Sequence, residues 1–277
     1  MLPVMIIVSH RVLTLSIIMF AIVAAIAPPS AFAQAGDLTL FVGTAYPVDR
    51  EEFTLRPSTP SIPGADVTVT GDPALKASGG LVLGGALAFE VGVIGIEGRL
   101  DSTTIGFDVD GARYDLRGTS GPLQGLTGAI TVGDGHLDAE RLHILSANLR
   151  LRTPGPVGLV ASAGFSILPD VTINGSVPIT AQIAGITLPG VQPRLRLEVA
   201  QGESKHRYGL NAGGGIRIGG QRLALMGEVR VFYFKDYELT FGVENAPSIV
   251  SDLIREIPAI TFDPVIVNAQ AGLVVRF

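Results

Sequence analysis

The feature that most constrains the fold of this chain is an alternation of apolar residues with polar or small ones. In the segment LALMGEVRVFY, Leu225 and Val229 fall on one side of an extended strand. Glu228 and Arg230 fall on the other side, because successive side chains of a strand point to opposite faces. Eight such segments predict strands: Asp37–Tyr46, Gly79–Glu90, Ile94–Asp101, Leu145–Arg152, Val157–Ile167, Tyr208–Ile218, Leu223–Tyr233 and Asn268–Phe277.

The connections between the predicted strands alternate between two lengths. Three are tight and rich in Gly or Pro, as hairpin turns require: Val91–Val93, Thr153–Pro156 and Gly219–Gln221. Four are long: Pro47–Ser78, Ser102–Arg141, Leu168–Arg207 and Phe234–Asp263. Structureless loops of this size are uncommon in a compact soluble domain. Short periplasmic turns and long external loops are typical of outer-membrane barrels.

A sheet can span a membrane only if it closes on itself, because hydrocarbon offers no hydrogen-bond partners to an open edge. Closure places apolar residues toward lipid and polar or small residues toward the lumen. We therefore predict an all-β fold: an antiparallel up-and-down transmembrane β-barrel of eight strands, with short periplasmic turns and four long extracellular loops. A barrel of ten strands and a soluble periplasmic barrel are the alternatives.

The N-terminal segment has the parts of a secretory signal peptide. Arg11 supplies the positive charge, Val12–Ala27 is apolar, and Ala31 to Ala33 offer small residues for cleavage. We expect residues 1–33 to be cleaved, leaving an outer-membrane β-barrel domain over residues 34–277 in the cell outer membrane. A retained N-terminal anchor is the alternative.

Composition excludes several classes of function. The chain has no cysteine, so it has no disulfide framework, thiolate metal site or cysteine nucleophile. Its net charge of −5 argues against a nucleic-acid partner, because nucleic-acid binding needs a basic patch. Beyond the N-terminus, no apolar run approaches the roughly 20 residues that a spanning helix needs.

Charged residues lie on the predicted lumen face, where a barrel of eight strands leaves room only for side chains. An isolated charge would be very costly there, so the charges must pair. We predict an ion network midway along the barrel, formed by Glu97, Arg99, Arg150, Glu228 and Arg230. Three further arginines are expected nearer the periplasmic rim: Arg152, Arg217 and Arg276. Solvated charges in a wider pore are the alternative.

Two of the long connections have patterns of their own. Asp110 and Gly111, within Asp108–Leu116, predict a hairpin that projects beyond the membrane. Ser248–Ile257 has apolar residues at four-residue spacing and is compatible with a short helix or a solvated loop.

Several segments resemble the small OmpA-like outer-membrane β-barrel family. Ile144–Ile167, with Asn148 midway along its first strand, resembles the family's fourth and fifth strands, and Tyr208–Phe234 resembles the sixth and seventh. The chain ends on a pattern similar to the family's C-terminal assembly signal, with these residues in its positions: Gln270, Gly272, Val275 and Phe277. The resemblance implies recognition of the last strand by the barrel assembly machinery.

Candidate catalytic and metal-binding residues form no recognisable motif. The histidines after the signal segment are His136, His143 and His206, and none has the His-x-Ser spacing of lipid-modifying barrels. A calcium site from Asp108, Asp110 and Asp115 fits no loop motif. We expect no enzyme activity, cofactor or metal.

The leading functional hypothesis is a monomeric outer-membrane barrel with a filled, charged lumen. Its role would be structural or surface-interacting, with outer-membrane lipid and the assembly machinery as partners. A small diffusion or uptake pore is the alternative, and a lipid-modifying enzyme is a third hypothesis.

Overall fold

The structure is a computed structural model that describes most of the chain after residue 35. The described residues are 36–48, 61–62, 65–72, 75–109, 111, 113–139, 141–169, 172–183, 186–187, 193–199, 206–220, 222–246, 251, 260–262 and 265–277. The predicted signal peptide lies outside these residues. Within the described part of the chain, no helix has the length and apolar character needed to cross a membrane.

Eight of the strands form a closed antiparallel barrel. Numbered among all described strands in chain order, they are β1 (Gly36–Val48), β5 (Gly80–Val91), β6 (Ile94–Thr103), β11 (Leu142–Arg152), β12 (Val157–Leu168), β17 (Arg207–Gly219), β18 (Leu223–Phe234) and β21 (Val265–Arg276). Each predicted strand corresponds to one of them, so the prediction of an eight-stranded antiparallel barrel is confirmed. The alternative of ten strands in the barrel is wrong, because the strands of the long connections pair in separate sheets.

The barrel closes where the first strand meets the last. β1 pairs antiparallel with β21, with Leu38 opposite Val275 and Asp37 opposite Arg276. Beyond the strand, Gly36 donates to the Phe277 carbonyl at 2.9 Å and Phe277 donates to the Gly36 carbonyl at 3.0 Å. Because every barrel strand has two neighbours, the barrel has no open edge.

The two ends of the barrel differ. The end that carries the three tight turns and Phe277 is here called the turn end, and the opposite end is the head end. At the turn end, Gly92 and Gly155 have positive φ values of 68° and 115°, which glycine adopts without the strain of a side chain. The predicted short connections therefore have the backbone that their residues favour.

The four long connections fold into two further sheets at the head end, which together are called the head. The four-stranded sheet contains β4 (Leu75–Ser78), β7 (Gly106–Val109), β10 (Gly135–Ala139) and β13 (Ile173–Asn174). The nine-stranded sheet contains β2 (Ser61–Ile62), β3 (Ala65–Asp72), β8 (Arg113–Gly118), β9 (Thr127–Val132), β14 (Val177–Ile183), β15 (Ile186–Thr187), β16 (Arg194–Val199), β19 (Tyr237–Glu244) and β20 (Ile260–Phe262). A short 3-10 helix, Gly121–Leu123, precedes β9.

The prediction of a hairpin around Asp110 and Gly111 is wrong. Strands do flank Gly111, whose φ is 52°, but β7 pairs with β4 and β10 whereas β8 pairs with β3 and β9. The chain therefore crosses from one sheet of the head to the other at this point. The helix considered for Ser248–Ile257 falls outside the described residues except at Ser251.

The barrel lumen is divided into layers along its length. In β18, Glu228 and Arg230 point inward and are buried midway along the strand, whereas Phe232 and Phe234 fill the lumen toward the head end. These two aromatic residues belong to one hydrophobic cluster that continues through Ile266 into the head. The alternation predicted polar or small residues throughout the lumen, and this prediction is wrong at the head end, where the lumen is apolar.

Candidate functional site

The structure brings the five residues of the predicted ion network into contact inside the barrel. Arg99 contacts Glu228, with Nη1 to Oε2 at 3.0 Å, and Glu228 also contacts Arg230, with Oε1 to Nη2 at 2.6 Å. Arg230 reaches Glu97 at 3.1 Å, and Glu97 lies 3.6 Å from Nη1 of Arg150. All five residues are buried. They come from three strands, β6, β11 and β18, so the network crosses the lumen.

The network continues toward the turn end through residues that the prediction left out. Glu90 contacts Arg150 at 3.5 Å, Arg152 at 2.9 Å and Arg276 at 3.1 Å. Asp37 contacts Arg276 at 2.8 Å and Arg152 at 3.6 Å. The side chains of Arg152 and Arg276 are 12% and 22% exposed, whereas those of the mid-barrel arginines are fully buried. The two arginines expected near the rim therefore lie at the turn end.

Asp101 completes the network toward the head end, where it holds Arg99 at 2.7 Å. Every member is joined to the others through shared partners, so a single network, here called the lumen network, runs along the barrel. It contains five arginines and five carboxylates: Arg99, Arg150, Arg152, Arg230, Arg276, Asp37, Glu90, Glu97, Asp101 and Glu228. This balance of charge is what permits so many ions to be buried together.

Neutral polar side chains supply further hydrogen bonds in the middle of the network. Asn148 donates to Glu97 at 3.0 Å, and Asn211 donates to Asn148 at 2.8 Å. Arg230 donates to the Asn211 side-chain oxygen and to the Ser162 hydroxyl. Buried ions need such partners because ion pairing alone does not offset the loss of water. These residues alternate in sequence with outward-facing residues, and this alternation was the signal that could have identified them.

Glycines provide the space that the large charged side chains occupy. A Cβ atom added at Gly213 would lie 2.5 Å from Oε1 of Glu228 and 3.1 Å from Cζ of Arg230. One added at Gly95 would lie 2.8 Å from Cγ of Glu90. At Gly214, which faces the other side of the same strand, the nearest atom would be 3.9 Å away. Glycine is therefore required at these lumen-facing positions, because a side chain there would collide with the large charged side chains opposite.

Phe41 separates the ionic part of the lumen from the apolar part. The guanidinium of Arg99 lies over the Phe41 ring, with Cζ 4.1 Å from the ring centroid. The same ring belongs to the hydrophobic cluster that contains Phe232 and Phe234. Because Arg99 also contacts Asp101 and Glu228, a cation–π contact links the lumen network to the apolar layer.

Arg217 is the third arginine that was expected near the rim. It is buried close to the end of β17 and donates to the Gly220 carbonyl at 3.4 Å. Among the described residues, no carboxylate lies within ion-pair distance of it, so it does not join the lumen network.

Of the histidines considered at first, His136 lies in the head strand β10, His143 lies at the start of the barrel strand β11, and His206 directly precedes the barrel strand β17. His136 Nδ1 is 2.5 Å from Asp108 Oδ1 on the neighbouring strand. Ser78 lies on the opposite side of Gly106 from His136, and its hydroxyl is buried from solvent.

The remaining candidates do not gather into a site. His206 contacts the Pro169 carbonyl, and His143 is half-buried at the start of β11. Asp115 pairs with Arg113 at 3.0 Å, and Asp110 is outside the described residues. Across the described ranges, no three His, Asp or Glu side chains are placed to hold a metal ion.

The residues of the C-terminal pattern all lie at the closing seam of the barrel. Gln270 faces the lumen, and Gly272 packs so closely that an added Cβ would lie 3.1 Å from Cβ of Phe41. Val275 and Phe277 face outward and are exposed. The pattern therefore coincides with the strand that completes the barrel.

No protein-family model matches the chain, and no curated protein matches it.

The lumen network predicts a large effect of removing one buried charge. We expect Glu228→Gln to lower the free energy of unfolding by about 3 kcal/mol, because Arg99 and Arg230 would each lose a buried partner. Urea titration of the protein in detergent measures this change. The control is Glu198→Gln, which removes an exposed partner of Arg196 and should cost less than about 1 kcal/mol. Equal effects of the two substitutions would contradict a buried network.

Two adjacent glycines test the packing around the network. We expect Gly213→Ala to lower the free energy of unfolding by about 1–3 kcal/mol, because its methyl group would meet a Glu228 side chain that two arginines hold in place. Gly214→Ala should change stability by less than about 0.5 kcal/mol, because its methyl group enters open space. The same urea titration compares the two variants. A greater loss of stability from Gly214→Ala would contradict the assignment of Gly213 to the lumen side and Gly214 to the outer side of the strand.

Proposed function

We propose that the protein is an outer-membrane β-barrel with a sealed lumen, whose role is structural or surface-interacting through its head. The proposal is carried by the position of the exposed apolar surface. Among the described residues, every exposed large apolar side chain except Leu126 lies on a barrel strand, a tight turn or the chain end. Soluble monomers rarely expose apolar surface over so wide an area, so this surface indicates contact with lipid.

Aromatic residues mark one border of the apolar surface. Tyr46, Tyr208 and Tyr233 are exposed and lie on three barrel strands near the head end. Tyrosines favour the boundary between hydrocarbon and water, where the ring contacts lipid and the hydroxyl contacts water. This position supports a membrane boundary just below the head, with the head in the aqueous phase.

The lumen favours a structural role over the alternative of a pore. The lumen network fills the middle of the barrel, and Phe232 and Phe234 occlude its head end. An eight-stranded barrel has an interior just wide enough for such side chains. A solute could cross the barrel only if both the lumen network and the apolar side chains at the head end moved aside.

The remaining parts of the proposal concern export and assembly. The signal peptide expected over residues 1–33 would deliver the chain across the inner membrane, and the assembly machinery would recognise the closing strand that ends at Phe277. The barrel would act as a monomer, because closure leaves no strand edge for pairing with a second copy. We propose no catalytic role.

A charge placed on the lipid side of the barrel tests the membrane assignment. Val229 is exposed midway along β18, so we expect Val229→Arg to destabilise the protein in lipid vesicles by about 2–4 kcal/mol. The folded fraction, measured by heat-modifiable gel migration across a urea series, reports this loss. Thr131→Arg, on the exposed side of the head, is the control and should have little effect. An unchanged Val229→Arg variant that stays in the aqueous fraction would favour a soluble barrel.

Electrical recording tests the sealed lumen. We expect the protein, once its insertion is verified by protease protection of the barrel, to give no steady conductance across a planar bilayer. Liposomes that contain it should not swell in sugar solutions, because the ionic and apolar layers block the lumen. Steady single-channel currents together with swelling would contradict the structural role and support a diffusion pore.

A further inference from the structure

The nine-stranded sheet of the head has one face on the hydrophobic core and one face that is exposed. Tyr114 and Leu116 of β8 point into the core, whereas Arg113, Asp115 and Arg117 alternate with them and point outward. The exposed side is here called the outer face. It is polar, although it belongs to a protein whose barrel surface is strongly apolar.

A depression of about 600 Å³ lies on this outer face. Its middle is formed by the backbone of Gly128 and by Ala129, whose small side chain leaves a low region between larger neighbours on the adjoining strands. Ala129 lies opposite Asp115 on one side and Gln182 on the other. Because neighbouring strands are about 4.8 Å apart, these two side chains are about 10 Å apart across the depression.

The border of the depression carries hydroxyl, amide and charged groups. Thr68 and Thr127 lie on either side of Arg117 in the register of the sheet, and Thr70 lies opposite Asp115. All of these side chains belong to the outer face. A ligand that enters would therefore meet several hydrogen-bond donors and acceptors arranged over a flat base.

The two arginines of the depression differ in their partners. Arg113 donates to Asp115 at 3.0 Å and is thereby neutralised. Arg117 is exposed, and it forms no ion pair with any residue that the structure describes. Its guanidinium is a planar donor suited to a carboxylate, so the depression has one cationic group available to a ligand.

We propose that this depression binds an acidic saccharide, with Arg117 on its carboxylate and the threonines and Gln182 on its hydroxyls. The distance between the Asp115 and Gln182 side chains across the depression matches the length of a disaccharide. Among the lining residues that the structure describes, none is aromatic, so recognition would depend on the acidic group and not on stacking against a sugar ring. The proposal refines the surface-interacting role proposed above and rests on it for the exposure of the head.

Binding by purified protein in detergent tests the site without requiring a membrane. We expect digalacturonate to bind in isothermal titration and to bind at least about tenfold more tightly than a neutral digalactose of the same linkage. Arg117→Gln should weaken digalacturonate binding by about tenfold or more, because it removes the cation. Ala129→Leu should weaken it comparably by filling the middle of the depression.

The control is Arg196→Gln, which removes another arginine of the same sheet that already pairs with Glu198 and Glu244 and lies outside the depression. It should leave binding unchanged. Heat-modifiable migration verifies that each variant is folded. Absence of binding to the folded wild type, an equal loss in Arg196→Gln, or equally tight binding of inorganic phosphate would each overturn the proposal. These results would leave the membrane assignment intact, because Val229→Arg tests it separately.

A competition arm identifies the source of the saccharide, since acidic sugars occur both in lipopolysaccharide and in free polysaccharides. Displacement of digalacturonate by lipopolysaccharide from the wild type would support the site and identify the membrane's own outer leaflet as the source. Displacement by a free polyuronate only would support the site and identify an external polysaccharide.

Discussion

Closure of the barrel by backbone hydrogen bonds is the constraint on which the rest of the structure depends. The pairing of β1 with β21 gives every barrel strand two neighbours, and the bonds between Gly36 and Phe277 extend it to the last residue. Once the sheet is closed, alternate residues must point either into a narrow lumen or to the outside. The buried charges, the glycines that face them and the apolar outer surface all follow from this division.

The energetic cost of burying charge in the lumen is limited in two ways. Along its middle, arginines and carboxylates balance one another, and Asn148 and Asn211 supply further hydrogen bonds to Glu97 and Arg230. Toward the head, apolar side chains replace the ions, so no charge has to be compensated there. Phe41 joins the two regions because its ring can contact both the Arg99 guanidinium and the hydrophobic cluster.

The head extends the barrel's core and gives the protein a second, chemically different surface. Its buried residues belong to the same hydrophobic cluster as Phe232 and Phe234, so the head and the upper lumen share one apolar core. The apolar surface of the barrel suits lipid, whereas the outer face of the head presents Arg117 and several threonines to water. This contrast underlies the proposal of a membrane-held barrel that contacts soluble or lipid-borne saccharides.

The sequence by itself determined the eight barrel strands, their tight turns and the side on which Glu228 and Arg230 point, because side-chain direction in a strand is a local property. Only the tertiary structure decided which ions meet, since Arg230 and Glu97 are 133 positions apart. It also decided the strand pairing of the head, where the turn at Gly111 predicted a local hairpin but β7 and β8 found distant partners. Pairing between strands that are remote in sequence depends on packing across the whole molecule. The periodicity within one segment therefore does not predict which strand that segment pairs with.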